Sequence, residues 1–256
     1  MNATTRSVAC ASALMLALGA CTTSATRTAT AAQPTSTPAS TSAPAPTSAC
    51  APTFDAANAG GSITNPYYPL PIGRTMVYQG VRDGQKQTDT VTVTSQKKSI
   101  LGVSATVVTD KADHNGQPLE DTRDYFAQDR QGNVWYLGED TKSFEPDGTV
   151  DTSGSWLSGA DGATPGIIML ANPQIPCAYR QEFLKGEAED TAWIISRGGD
   201  VKIPYGTVHN SLRTLEFTVL EPDVIDEKVY APGLGIVRER SIAGAQETSD
   251  LVRVTG

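Results

Sequence analysis

No apolar repeat of helical period persists for more than about ten positions in this chain, so its regular structure must come from strands. Strand-like segments rich in Val, Thr and Ile, separated by turn residues, occupy 74–79, 88–94, 100–109 and 119–128. Others lie at 133–137, 192–196, 208–220, 228–231, 235–240 and 248–254. Asp83-Gly84 and Asn115-Gly116 each predict a hairpin, because both dipeptides accept the positive φ angles of a two-residue turn. A turn is expected at Asp129–Gly132, and Glu145-Pro146-Asp147-Gly148 closes a further hairpin. The fold class is all-β: an antiparallel, curved sheet or partly closed barrel-like module with few short helices.

Two segments break this grammar. Residues 151–176 are Gly/Ser/Pro-rich and carry Trp156 and the apolar patch Gly166–Leu170, which reads as a long loop serving as a lid over one sheet face. Tyr179 to Asp190 is strongly acidic and fits either a strand or a helical turn.

The N-terminus carries targeting information. Arg6 precedes the short apolar run Val8–Leu18, well below the ~20 residues a spanning helix needs. Leu18-Gly19-Ala20-Cys21 matches a bacterial lipobox, so residues 1–20 are read as a lipoprotein signal peptide and Cys21 as the lipidated residue. Thr22, rather than Asp, follows the cysteine and gives no inner-membrane retention signal. In residues 22–53, Thr, Ala, Ser and Pro fill 29 of 32 positions, a composition unable to build a core, so 21–53 is expected to be a disordered tether. Residues 54–256 form the single β-rich module. With Cys10 lost to the signal and Cys21 to the lipid, Cys50 and Cys177 are left to form a disulfide in an exported protein.

Charge excludes some partners. The chain has 20 basic and 28 acidic side chains, net −8. Nucleic acid needs clustered cations, so it is not expected as a partner. The membrane is expected as a partner only through the lipid, with the module extracytoplasmic in the cell envelope, on the outer membrane if the cell is Gram-negative. No Gly-x-Ser-x-Gly elbow, His-Glu-x-x-His, phosphate-binding loop or dinucleotide fingerprint occurs. Asp113, Asn115 and Gly116 mimic part of a calcium loop, but Lys111 and Thr122 stand where its first and last ligands belong.

Two constellations carry chemistry. Glu182, Glu187, Glu189 and Asp190 lie within nine residues, and on a strand Glu187 and Glu189 would share one face about 7 Å apart. Such oxygen ligands suit Ca2+, whereas a solvated edge that discourages aggregation is the alternative. Tyr125, Phe126, Trp135, Tyr136, Trp156 and Tyr179 concentrate in the middle of the chain. They pack a core or, with Tyr125, Trp135, Tyr136, Trp156 and Tyr179 as candidates, line a ligand groove.

From Asn65 onward the chain resembles a family of uncharacterised secreted bacterial lipoproteins. The resemblance rests on Asn65-Pro66-Tyr67-Tyr68-Pro69-Leu70, Tyr125–Asp129, Gly132–Tyr136, Gly154-Ser155-Trp156 and Pro165–Met169. Tyr179–Glu182, Gly186–Asp190 and Tyr230–Gly235 extend it. Leu137 stands where that family has an aromatic residue and Leu157 where it has an acidic one. The resemblance implies an antiparallel β-sheet module and no established reaction.

The expected function is a cell-envelope lipoprotein whose β-module binds a small apolar molecule, lipid or peptide without catalysis. The alternative is a surface-tethered, metal-assisted hydrolase or lyase using the 182–190 carboxylates. A purely structural or interaction module is the third reading.

Overall fold

The structure, a computed structural model, describes residues 50–256. The expected signal peptide, the lipidation at Cys21 and the tether up to residue 49 lie outside the described residues.

Seventeen strands and one 3-10 turn at Ala56–Asn58 make up the described regular structure. The strands are β1 (Thr75–Arg82), β2 (Gln85–Ile100), β3 (Val103–His114), β4 (Gln117–Gln128), β5 (Val134–Asp140), β6 (Ser143–Phe144), β7 (Val150–Asp151), β8 (Trp156–Leu157) and β9 (Gly166–Met169). The second half of the chain supplies β10 (Cys177–Arg180), β11 (Asp190–Arg197), β12 (Val201–Ile203), β13 (Gly206–Val208), β14 (Leu212–Thr218), β15 (Ile225–Ala231), β16 (Gly235–Ala243) and β17 (Glu247–Thr255).

Fifteen of these strands join one antiparallel sheet, whose main path runs β10-β11-β14-β15-β16-β17-β1-β2-β3-β4-β5-β8. The two halves of the chain thus build the two arms of the sheet, joined where β1 pairs with β17. The arms curl until their far ends meet again. Thr164 donates its backbone N–H to Phe183 O at 2.9 Å, making an isolated antiparallel bridge rather than a ladder. The Cys50–Cys177 disulfide spans the same side, as the cysteine count predicts. The module is a curved sheet that stops short of a closed barrel.

Local chemistry explains the turns. Asp83-Gly84 and Asn115-Gly116 have both residues at positive φ, as a two-residue hairpin requires. The β2–β3 hairpin uses the same geometry with Leu101 at φ 51° before Gly102. β2 accordingly extends to Ile100, where the sequence suggests a turn after Thr94. Leucine pays a steric cost in the left-handed region, so nothing in its side chain announces a turn. The expected strand 208–220 is split in two by Asn210 at φ 56°.

The expected lid at 151–176 is corrected. It contributes β8 and β9, both paired to β5, so the segment extends the sheet edge instead of covering a face. The apolar patch Gly166–Met169 is β9 itself and is wholly buried. One core holds Val93, Val108, Phe126, Leu137, Met169 and Ile194 with their neighbours. Asn65–Leu70 runs across one end of the curl: Asn65 Nδ2 donates to Leu170 O and Gly132 O, and Tyr67 Oη donates to Asn210 O. That end is thereby plugged.

Candidate functional site

Alternation along each strand sends every second residue inward, and the inner face changes character along the curl. Near the plug it is apolar, with Leu70, Val91, Val108, Phe126 and Ile236. Away from it the same strands present carboxylates. Together these residues line a cavity of about 150 Å3 to which eleven strands contribute. That volume corresponds to roughly five water molecules at liquid density.

Nine carboxylates border this cavity, against one lysine. They fall into three groups. The first surrounds Arg82. Its Nε lies 3.7 Å from Glu247, its neighbour across the β1–β17 pair, while both terminal nitrogens are buried without a hydrogen-bond partner. Gln87 donates to Asp89 at 2.9 Å and to Glu247 at 3.4 Å, and Ser249 donates to Asp89 at 3.3 Å. Nearby, Thr122 donates to Glu120. Burial pushes Glu120 and Glu247 each up to about 7 and raises Asp89.

The second group surrounds Lys228, whose Nζ is 2.8 Å from Glu216 and 4.0 Å from Glu239. Glu216 also accepts from Thr214 and Tyr230. Burial alone would raise Glu216, but Lys228 and these donors outweigh it and hold the carboxyl below its ordinary range. Glu239 shares the lysine at longer range, and burial carries it up to about 8. Asp190 is raised to about 6, also by burial. Asp110, from β3, is raised well above the carboxylate range by burial and then by Asp89 and Asp124, and its Oδ1 is buried with no hydrogen-bond partner.

The third group sits around Tyr136. Its hydroxyl lies 2.5 Å from Asp124 and 2.6 Å from the fully buried Glu139. One hydroxyl proton cannot serve both carboxylates. The network closes when Glu139 keeps its proton and donates it to the Tyr136 oxygen while Tyr136 donates to Asp124. Burial, then Glu182 and Asp124, raises Glu139 far enough for that, whereas Asp124 reaches only about 6.

The residues singled out in the sequence are only partly brought together here. Tyr136, Glu182 and Asp190 border the cavity, and Trp156 packs edge-on behind Tyr136 with ring centroids 5.3 Å apart. Trp135 turns away, donating to Asp129 and meeting the Phe54 ring. Tyr125 also points elsewhere, bonded to Asp140 beneath Lys98. Tyr179 reaches Ile168 O at 3.5 Å within the core. Glu187 and Glu189 are not on a strand. They belong to a tight turn closed by Leu184 and Ala188, where Glu189 accepts from Gly186 N. The proposed 182–190 cluster is thus split between the cavity wall and a surface turn. Among the described residues no three His, Cys, Asp or Glu side chains are disposed to hold one metal ion.

The inner carboxylates of β2, β3, β4, β14, β16 and β17 were missed. Their signal was weak: Glu120, Thr122, Asp124 and Phe126 alternate on one face of β4, but Leu119, Asp121, Arg123 and Tyr125 read just as mixed on the other.

No protein-family model and no curated protein matches the chain. A solved structure described as an exported protein with a YmcC-like fold, from Bacteroides fragilis, is 17% identical with a TM-score of 0.43, covering 74% of this chain and 99% of that one. A lipoprotein from Parabacteroides distasonis is 10% identical with a TM-score of 0.39, covering 74% and 98%.

Proposed function

We propose that the chain is a cell-envelope lipoprotein, anchored through Cys21, whose curved sheet carries a small organic molecule without transforming it. The observation that carries this reading is the cavity itself. Eleven strands converge on one space, plugged at one end by Asn65–Leu70, with apolar walls near the plug and polar walls beyond. Such a space suits an amphipathic guest better than the small apolar molecule that stood beside lipid and peptide in the sequence-based expectation. No helix among the described residues is long and apolar enough to cross a membrane.

Native mass spectrometry of the full chain, purified from the cell envelope, tests the reading. The expected result is a bound organic mass that denaturation releases. A chain that carries none, and binds nothing from an extract of its own cells, would overturn it.

A second reading keeps one specific support. Asp124, Tyr136 and Glu139 form a proton-sharing group beside the cavity, an arrangement suited to acid–base catalysis. In this form the enzyme needs no metal and does not use Glu187 or Glu189. Turnover of a bound compound that is lost in Asp124→Asn with binding retained would establish it.

A further inference from the structure

We propose that the cavity's ligand is a linear organic polycation, an aliphatic chain bearing two or more ammonium groups. This rests on the binding reading above and names the chemistry of the guest.

The first argument is charge. Nine carboxylates face the cavity against two cations beside them: Lys228, paired with Glu216, and Arg82, whose Nε lies 3.7 Å from Glu247. Burying so many like charges is unfavourable unless counter-charge arrives or protons are retained. A cationic guest supplies the counter-charge. A neutral polyol would accept hydrogen bonds but leave the repulsion in place, and an anion would add to it.

The second argument is unmet hydrogen-bonding capacity. Asp110 Oδ1 is buried on the cavity wall and accepts from nothing, although a carboxylate oxygen has lone pairs for two donors. Glu139, with no exposed surface, likewise has Oε1 unpartnered behind Tyr136. Buried acceptors without donors are rare in native proteins and point to a missing donor. An ammonium group offers three donors and no acceptor, which suits the Asp110 oxygen on this wall.

The third argument is distribution. The carboxylates stand on both arms of the sheet, with Asp89, Asp110 and Asp124 on one and Asp190, Glu216 and Glu239 on the other. Ca2+ needs six to eight oxygens at about 2.3–2.6 Å from one point, and no such convergence exists among the described residues. A chain with separated ammonium groups reaches dispersed carboxylates. Its methylene segments would lie against Phe126, Val108 and Ile236, and its charges beside the carboxylates farther along the same strands. A cavity of about 150 Å3 takes a guest of small organic size.

Titration calorimetry of the purified full chain with spermidine, with its N-acetylated form and with a neutral polyol of similar length tests this. The expected result is one spermidine per chain, weaker binding of the acetylated form, and at least a tenfold loss of affinity in Asp110→Asn. That substitution keeps the side-chain shape and takes away the carboxyl group that a bound ammonium would ionise. Glu239→Gln provides a second variant on the opposite arm, with a loss in the same direction. Several weak spermidine sites that both variants leave unchanged would mean surface condensation and overturn the proposal. Binding of the polyol, or of a co-purified uncharged or anionic molecule, in preference to spermidine would overturn it and leave the carrier function standing. Binding of none of these and no co-purified guest would overturn both.

Discussion

Lys228 reaches Glu216 at 2.8 Å, with neither side chain more than a tenth exposed. The pair sits on the cavity wall between β14 and β15, and Glu216 is held below its ordinary range there. Every other shifted cavity carboxyl moves upward.

Removing the lysine alone should therefore be costly. Lys228→Met leaves Glu216 buried without its cation, and breaking such a pair typically costs about 3–5 kcal/mol. Urea unfolding at pH 7.5 should show that loss, and Lys228→Met with Glu216→Gln should recover most of it. A single variant as stable as the parent would contradict the pairing.

Stability should fall as pH rises. Glu120 and Glu247 at about 7 and Glu239 at about 8 lie above the carboxyl value of an unfolded chain. Between roughly pH 4.5 and 8 the folded state thus holds more protons than the unfolded one, and deprotonation works against folding. Each proton so retained weakens folding by about 1.4 kcal/mol for every pH unit climbed, so at least ~2 kcal/mol should be lost between pH 5 and pH 8. Glu216 has the opposite sign: its pairing is lost as pH falls below the ordinary carboxyl range. Maximum stability of the unliganded chain is expected near pH 5, read by chemical denaturation across a pH series. A maximum at pH 7–8 would count against the buried carboxylates.

The disulfide closes a sequence separation of 127 residues. Cys50→Ser with Cys177→Ser should cost about 2–5 kcal/mol. The comparison is a thermal melt of the double variant against the parent, neither containing reductant.

At Gly166 a side chain has no room. A Cβ there would stand 1.9 Å from the Gln181 carbonyl oxygen, a backbone atom on the other arm. Gly166→Ala should push the arms apart beside Thr164–Phe183, at roughly 1–3 kcal/mol and a melting temperature lower by roughly 3–10 °C. An unchanged melt would mean that the arms do not approach there.

Anchoring has its own test. Cys21→Ser should move the protein from the membrane pellet to the soluble extracytoplasmic fraction. Pelleting that survives both the substitution and a carbonate wash would remove the lipid from the account.

Strand chemistry was legible where local residues decide it. Asp83-Gly84 and Asn115-Gly116 marked hairpins because their side chains tolerate the required φ, whereas Leu101 concealed one. The two cysteines remaining after the signal and lipidation sites pointed to the bond that forms. The site was harder to read because a buried carboxylate looks the same in sequence as a solvated one. Asp110 and Asp124 acquire their meaning from β2–β5 curling to face β14–β17, a long-range arrangement that no spacing encodes. Glu187 and Glu189 do not share a strand face, since Gly186 at φ 80° turns the chain where a strand would have aligned them.

The Cys50–Cys177 bond also makes the polypeptide a macrocycle with a tail. Everything from β1 to β9 lies inside the covalent ring, and everything after β10 begins extends from it. A single backbone cut between residues 51 and 176 would release no fragment, whereas a cut after Cys177 would free a piece held only by its pairing. Asp89, Asp110, Glu120 and Asp124 stand on the ring, and Glu216, Lys228 and Glu239 stand on the tail. The cavity is therefore shared between a covalently locked hoop and a free arm, with the β1–β17 pair as the hinge between them and the disulfide as the clasp opposite.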